Sequence, residues 1–125
     1  MSKSLSRDVQ VLQKILKYLN KMSQKIRQYN CSSLYSFSQS EDCRDVCSFY
    51  ILQISELSKM LTKDSYNSLP FLCNGSITAV RNMIAHDYVG LQIPMLYSFV
   101  ASCIASQSYK AVKDRLKYCL ANKRG

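Results

Sequence analysis

Arg81, Asn82, His86 and Tyr88 are the residues of this chain best suited to chemistry. His86 is the only histidine among 125 residues, five positions after Arg81 and two before Tyr88, at the end of an apolar, helix-patterned segment. Imidazole titrates at about 6.5 in model peptides, so near neutrality it can take a proton or give one. A guanidinium stays charged, and its planar fork fits two oxygens of one phosphate. Metal-independent RNA cleavage needs a base for the 2′-hydroxyl, an acid for the departing 5′ oxygen and positive charge on the five-coordinate phosphate. The bland alternative is a histidine that only caps the negative end of its helix.

A helix over about Ser76 to Tyr88 must present these groups. With about 100° per residue, Ile77, Val80 and Ile84 share its core face, and Asn82 and His86, four apart, share the opposite one. Asn82 is thus placed to orient the imidazole or a ribose. Arg81 lies about 140° around the axis from His86. The two meet at one phosphate through a bent arginine stem, a frayed helix end, or a second copy of the segment facing the first. Asn74-Gly75-Ser76 supplies the turn and cap before this helix, and Gly90 a stop after it.

Before the motif, apolar residues recur every three or four positions from about Ser6 to Tyr29 (Val9, Leu12, Ile15, Leu16, Leu19, Met22, Ile26), predicting one long amphipathic helix with Ser6 and Asp8 suited to its start. Lys14, Lys17, Lys21 and Lys25 form a stripe on its other side, an ordinary solvated face or a track for an RNA backbone. A serine-rich connection over 31–37 ends in Ser38-Gln39-Ser40-Glu41, which has capping-box spacing and should open a second long helix. Cys43, Val46, Cys47, Tyr50, Ile54, Leu57 and Leu61 give that helix one apolar stripe. Phe49, Leu52 and Met60 fall on a different side, a surplus that suits a subunit or partner interface or a tightly wrapped core helix. A single turn is expected over 63–68, and proline makes the residue before it extended at Leu69-Pro70-Phe71.

After the motif, Pro94 opens a helix with Leu96, Phe99, Val100 and Ile104 inward. A last helix runs from about Ser108 to Leu120. No strand-like alternation occurs, so the expected fold is all-α: an antiparallel bundle of two long and two to three shorter helices forming a single domain over residues 1–125.

The totals agree. One chain of this length buries roughly two-thirds of its unfolded surface. A net charge of +9, from 17 Lys plus Arg against 8 Asp plus Glu, favours nucleic acid or an acidic protein as partner. No apolar run is long enough for a membrane span, and no secretory signal is read in MSKSLSRDVQ, so a cytoplasmic protein is expected. The six cysteines, Cys31, Cys43, Cys47, Cys73, Cys103 and Cys119, are then read as reduced, mostly buried apolar filler. Cys43 and Cys47, four apart, lack the companion ligands that a zinc site needs, and neither a metal nor a cofactor is expected.

Arg81, four residues, His86, one residue, Tyr88 matches the signature of the HEPN superfamily, and Arg-Asn-Met-Ile-Ala-His-Asp-Tyr resembles in particular the HepT-like toxins of MNT-HEPN toxin–antitoxin systems. Asp45 to Leu61 is similar to the second helix of that family, and the resemblance covers nearly the whole chain. It implies a HEPN-like bundle and a metal-independent endoribonuclease toxin of a type VII-like system, with Arg81 and His86 catalytic in a composite site across a homodimer. It further implies a cognate MNT-type nucleotidyltransferase antitoxin that transfers AMP from ATP to Tyr88. AMP there would place bulk and phosphate charge in the cleft, in competition with RNA for Arg81. A rival expectation is a non-catalytic helical module that binds a nucleotidyltransferase or a nucleotide.

Overall fold

The computed structural model describes residues 2–73, 76–86 and 92–122. Among these residues there are eight α-helices and no strand: α1 (Ser2–Gln28), α2 (Leu34–Gln39), α3 (Glu41–Ser58), α4 (Lys63–Asn67), α5 (Pro70–Cys73), α6 (Ser76–Ala85), α7 (Ile93–Cys103) and α8 (Ser106–Asn122). The fold is the expected all-α bundle. Two long and two to three shorter helices undercount it, because α2, α4 and α5 have only six, five and four residues. Elements of one turn cannot display a repeat of apolar positions.

The predicted stripe on α1 is the centre of the core. Leu12, Ile15, Leu19 and Met22 are fully buried, each contributing about 2 kcal/mol by leaving water. They meet Ile51 and Ile54 of α3, Leu72 of α5, Val80 of α6, Leu96 and Val100 of α7 and Val112 of α8 in one apolar cluster. α1 packs most extensively on α8 and α3. Asp8 near the start of α1 meets Thr62 just beyond α3, and the rings of Tyr18 and Tyr50 lie 5.7 Å apart midway, so these two helices are antiparallel. Tyr109 at the start of α8 donates to the Leu19 carbonyl at 2.8 Å, and Arg115 further along reaches Ser65 beside Asp8. α8 therefore also runs against α1.

Asp8 is not the helix-start residue that its position suggests. α1 begins by Ser2, and the Asp8 carboxylate turns inward, fully buried. It accepts from the Thr62 backbone N–H at 3.0 Å, the Thr62 hydroxyl at 2.6 Å and the Ser65 hydroxyl at 2.5 Å. The Ser65 oxygen in turn accepts from Arg115 Nε at 2.8 Å. A buried carboxylate with three donors is tolerated where a bare one is not. This cluster ties α1, the α3–α4 junction and α8 together.

The expected capping box at Ser38–Glu41 does not form. Ser38 lies inside α2, and its hydroxyl donates back to the Tyr35 carbonyl. Ser40 alone caps α3, accepting from the Cys43 N–H, with Glu41 and Asp42 completing a negative first turn. The reciprocal box belongs to α2, between Ser33 and Ser36. Pro94 sits in the first turn of α7 as predicted. The break between α7 and α8 falls at 104–105, so the last helix starts at Ser106, two residues before the predicted Ser108, whose buried hydroxyl donates to the Ser102 carbonyl.

Candidate functional site

α6 packs on α3, α5 and α7 through Ile77, Val80 and Met83, all buried, with Ile84 partly so. Burying this face turns the other outward, and Thr78, Asn82 and His86 are all exposed. The His86 N–H continues the helical ladder to the Asn82 carbonyl at 3.1 Å. The imidazole is therefore anchored by backbone and presented to solvent, as the spacing predicted.

Arg81 is half-buried, between the core face and the exposed one. Its Nη1 donates to Asn82 Oδ1 at 3.4 Å, so the guanidinium bends toward the side of the helix that carries His86. The bond is long for N–H···O, and a phosphate oxygen would compete for it readily. Arg81 thus touches Asn82, which shares the exposed face of α6 with His86. Tyr88, Asn74, Gly75 and Gly90 lie outside the described residues.

The lysine stripe is elsewhere. Lys14, Lys17 and Lys21 are exposed and Lys25 half-exposed, its Nζ donating to Gln28 Oε1. Lys14 and Lys17 line a depression with Tyr18, Gln53 and Leu57. Ser55 and Ser58, by contrast, line a cleft with Ile77 and Thr78 of α6. Gln53 and Ser55 project about 200° apart around α3, which places the stripe and the His86 surface on opposite flanks of that helix.

The surplus apolar residues of α3 are outside the core. Phe49 and Met60 are about half exposed, at 52% and 49%, and Leu52 is partly buried. The Phe49 ring stands edge-on to Tyr50, centroids 5.8 Å apart, so it is held in place while one face stays open.

The thiols behave as apolar filler. Burial pushes the Cys47 thiol up to about 12 and raises Cys43 and Cys103 further, Cys43 with help from neighbouring Cys47. Thiols held protonated are poor metal ligands. Among the described residues, no three His, Cys, Asp or Glu side chains are grouped to hold a metal ion, and no helix is long and apolar enough to cross a membrane.

The α3–α4–α6 cleft was not legible in the sequence. It has a volume of about 360 Å³ and adds Lys59, Leu61, Lys63 and Tyr66 to the serines and α6 residues already named. Compared with models of protein families, with curated proteins and with solved structures, the chain finds no match.

Proposed function

We propose that this chain is the toxin of a toxin–antitoxin pair, a cytoplasmic, metal-independent endoribonuclease whose site joins Arg81 and His86 from two copies of α6. The single observation that supports the reading is that Arg81 donates to Asn82, which shares the exposed face of α6 with His86. The octapeptide's resemblance to HepT-like toxins and the net charge of +9 also support it.

In the reaction, one His86 removes the 2′-hydroxyl proton as that oxygen attacks the adjacent phosphorus. The P–O5′ bond breaks, and the His86 of the second copy protonates the leaving oxygen. The products are a 2′,3′-cyclic phosphate and a 5′-hydroxyl, so no water and no metal is consumed. Arg81 donates to the phosphate oxygens as charge builds there. Lys14, Lys17, Lys21 and Lys25 attract the strand from the far flank of α3. Tyr88 is the site at which a partner nucleotidyltransferase attaches AMP, blocking RNA from Arg81.

Purified protein incubated with RNA in EDTA tests this. Cleavage leaving cyclic-phosphate ends supports it, and activity that vanishes on chelation and returns with a divalent cation rules the mechanism out. A non-catalytic module that holds a nucleotidyltransferase or a nucleotide would leave the RNA intact with or without the chelator.

A further inference from the structure

The cleft among α3, α4 and α6 has no part in the chemistry above, yet it is built like a binding site. Its floor comes from Ser55, Ser58 and Ile77, which are buried, and its apolar walls are Leu61 and the ring of Tyr66. Tyr66 donates its hydroxyl to the Leu72 carbonyl at 3.2 Å, which fixes the ring as a wall. Lys59, Lys63 and Thr78 form the rim. Lys59 pairs with Glu56 at 3.1 Å, whereas Lys63 has no ion pair among the described residues. Directly across Lys59 and Leu61 lies a second depression that holds Arg7, so three cations gather around the α3–α4 junction.

Apolar walls of Leu61 and Tyr66, a floor that sets Ile77 beside two serines, and a cationic rim suit one ligand chemistry, a flat heteroaromatic ring with polar edges joined to a phosphate. At about 360 Å³ the volume lies within the usual range for small-molecule sites. Position adds to this. Thr78 at the rim, Asn82 and His86 follow one another at four-residue steps on the exposed side of α6, and Thr78 and His86 are about 12 Å apart along the axis. That distance spans roughly three stacked nucleotides at about 3.4 Å each.

We propose that this cleft binds one nucleotide unit, its base against Leu61, Tyr66 and Ile77 and its phosphate at Lys63 and Lys59. The unit is part of an RNA strand that continues along α6 toward His86, or a free nucleoside monophosphate of the same chemistry. The strand assignment rests on the ribonuclease reading; the cleft itself does not.

The test uses the full chain and two probes, AMP alone and a six-nucleotide 2′-deoxy oligomer that this chemistry cannot cleave. Binding is followed by amide chemical-shift changes at Lys63, Tyr66 and Thr78, and by the affinity of Lys63→Ala and Thr78→Trp. Both substitutions are at exposed positions, the first removing the rim charge and the second filling the cleft. Lys63→Ala should weaken oligomer binding about tenfold, the loss of one charge-assisted contact, and Thr78→Trp should weaken it by occupying the space of the base. Oligomer binding that shifts the three amides and that both substitutions weaken, without AMP binding, identifies a strand subsite. AMP binding that both substitutions abolish identifies a free-nucleotide site, and either result supports the cleft. Wild-type affinity in both variants, with no shift at the three amides from either probe, overturns it. Because neither probe is cleaved, an inactive nuclease with an occupied cleft would sink only the ribonuclease reading, and an active nuclease with an empty cleft only this one.

Discussion

Arg81 Nη1 donates to Asn82 Oδ1 at 3.4 Å, so the guanidinium is drawn toward the imidazole's side of α6 by the neighbouring amide. Helical geometry alone separates the two residues by about 140°, and this one side-chain contact spans much of that gap. In the proposed ribonuclease Asn82 would be a positioning residue. Asn82→Ala should lower kcat for RNA cleavage about tenfold while changing KM little, and Asn82→Gln should recover part of the loss. Unchanged kcat in Asn82→Ala would make the contact incidental.

The open face of Phe49 lies about 40° around α3 from Gln53, on the lysine flank and away from His86, so pairing of two copies through it would not join two His86. A ring half exposed, on a helix whose other apolar stripe is already buried, is the kind of anchor that homodimer interfaces use. Solution mass should be twice 14.3 kDa for wild type and should nevertheless stay so in Phe49→Glu, with cleavage retained, because the paired site needs the exposed side of α6 at the interface. A monomer in Phe49→Glu would place the interface on the lysine flank and contradict a site shared between two copies of α6.

The lysines of α1 lie across α3 from His86, so they should act on affinity and not on the chemical step. Replacing Lys14, Lys17, Lys21 and Lys25 by glutamine should flatten the salt dependence of RNA binding by about 0.7 in slope for each lysine that meets a phosphate. An unaltered slope returns the stripe to ordinary surface.

Asp8 should matter to stability out of proportion to its place near the chain's start. Asp8→Ala leaves the Thr62 and Ser65 donors without their acceptor in a buried setting, a cost of about 3 kcal/mol, or roughly 10 °C in Tm. Thermal unfolding measures it. A shift of about 2 °C or less would show that water replaces the carboxylate.

What could be read from residue order follows from the range of each interaction. Leu12, Ile15, Leu19 and Met22 announce α1 because helical burial repeats within the helix, and Ile77 and Val80 set the facing of His86 for the same reason. Met83 escaped notice because both it and Ile84 fit beside that face, and only packing decides which is deeper. Asp8 looked like a helix-start residue because its partners, Thr62 and Ser65, are 54 and 57 positions away. The cleft is hidden likewise, since Ser58, Lys63, Tyr66 and Thr78 converge from three helices. The reach of Arg81 is a matter of side-chain torsions, which spacing does not encode.

The most direct measurement expresses wild type and His86→Ala side by side and follows growth and RNA integrity in the same cultures. Exposed on α6, His86 makes no core contact whose loss would unfold the chain, so the substitution reports on chemistry. Growth arrest with RNA breakdown in wild type, and neither in His86→Ala, is the predicted result. Equal arrest by both proteins, or intact RNA in both, contradicts the ribonuclease.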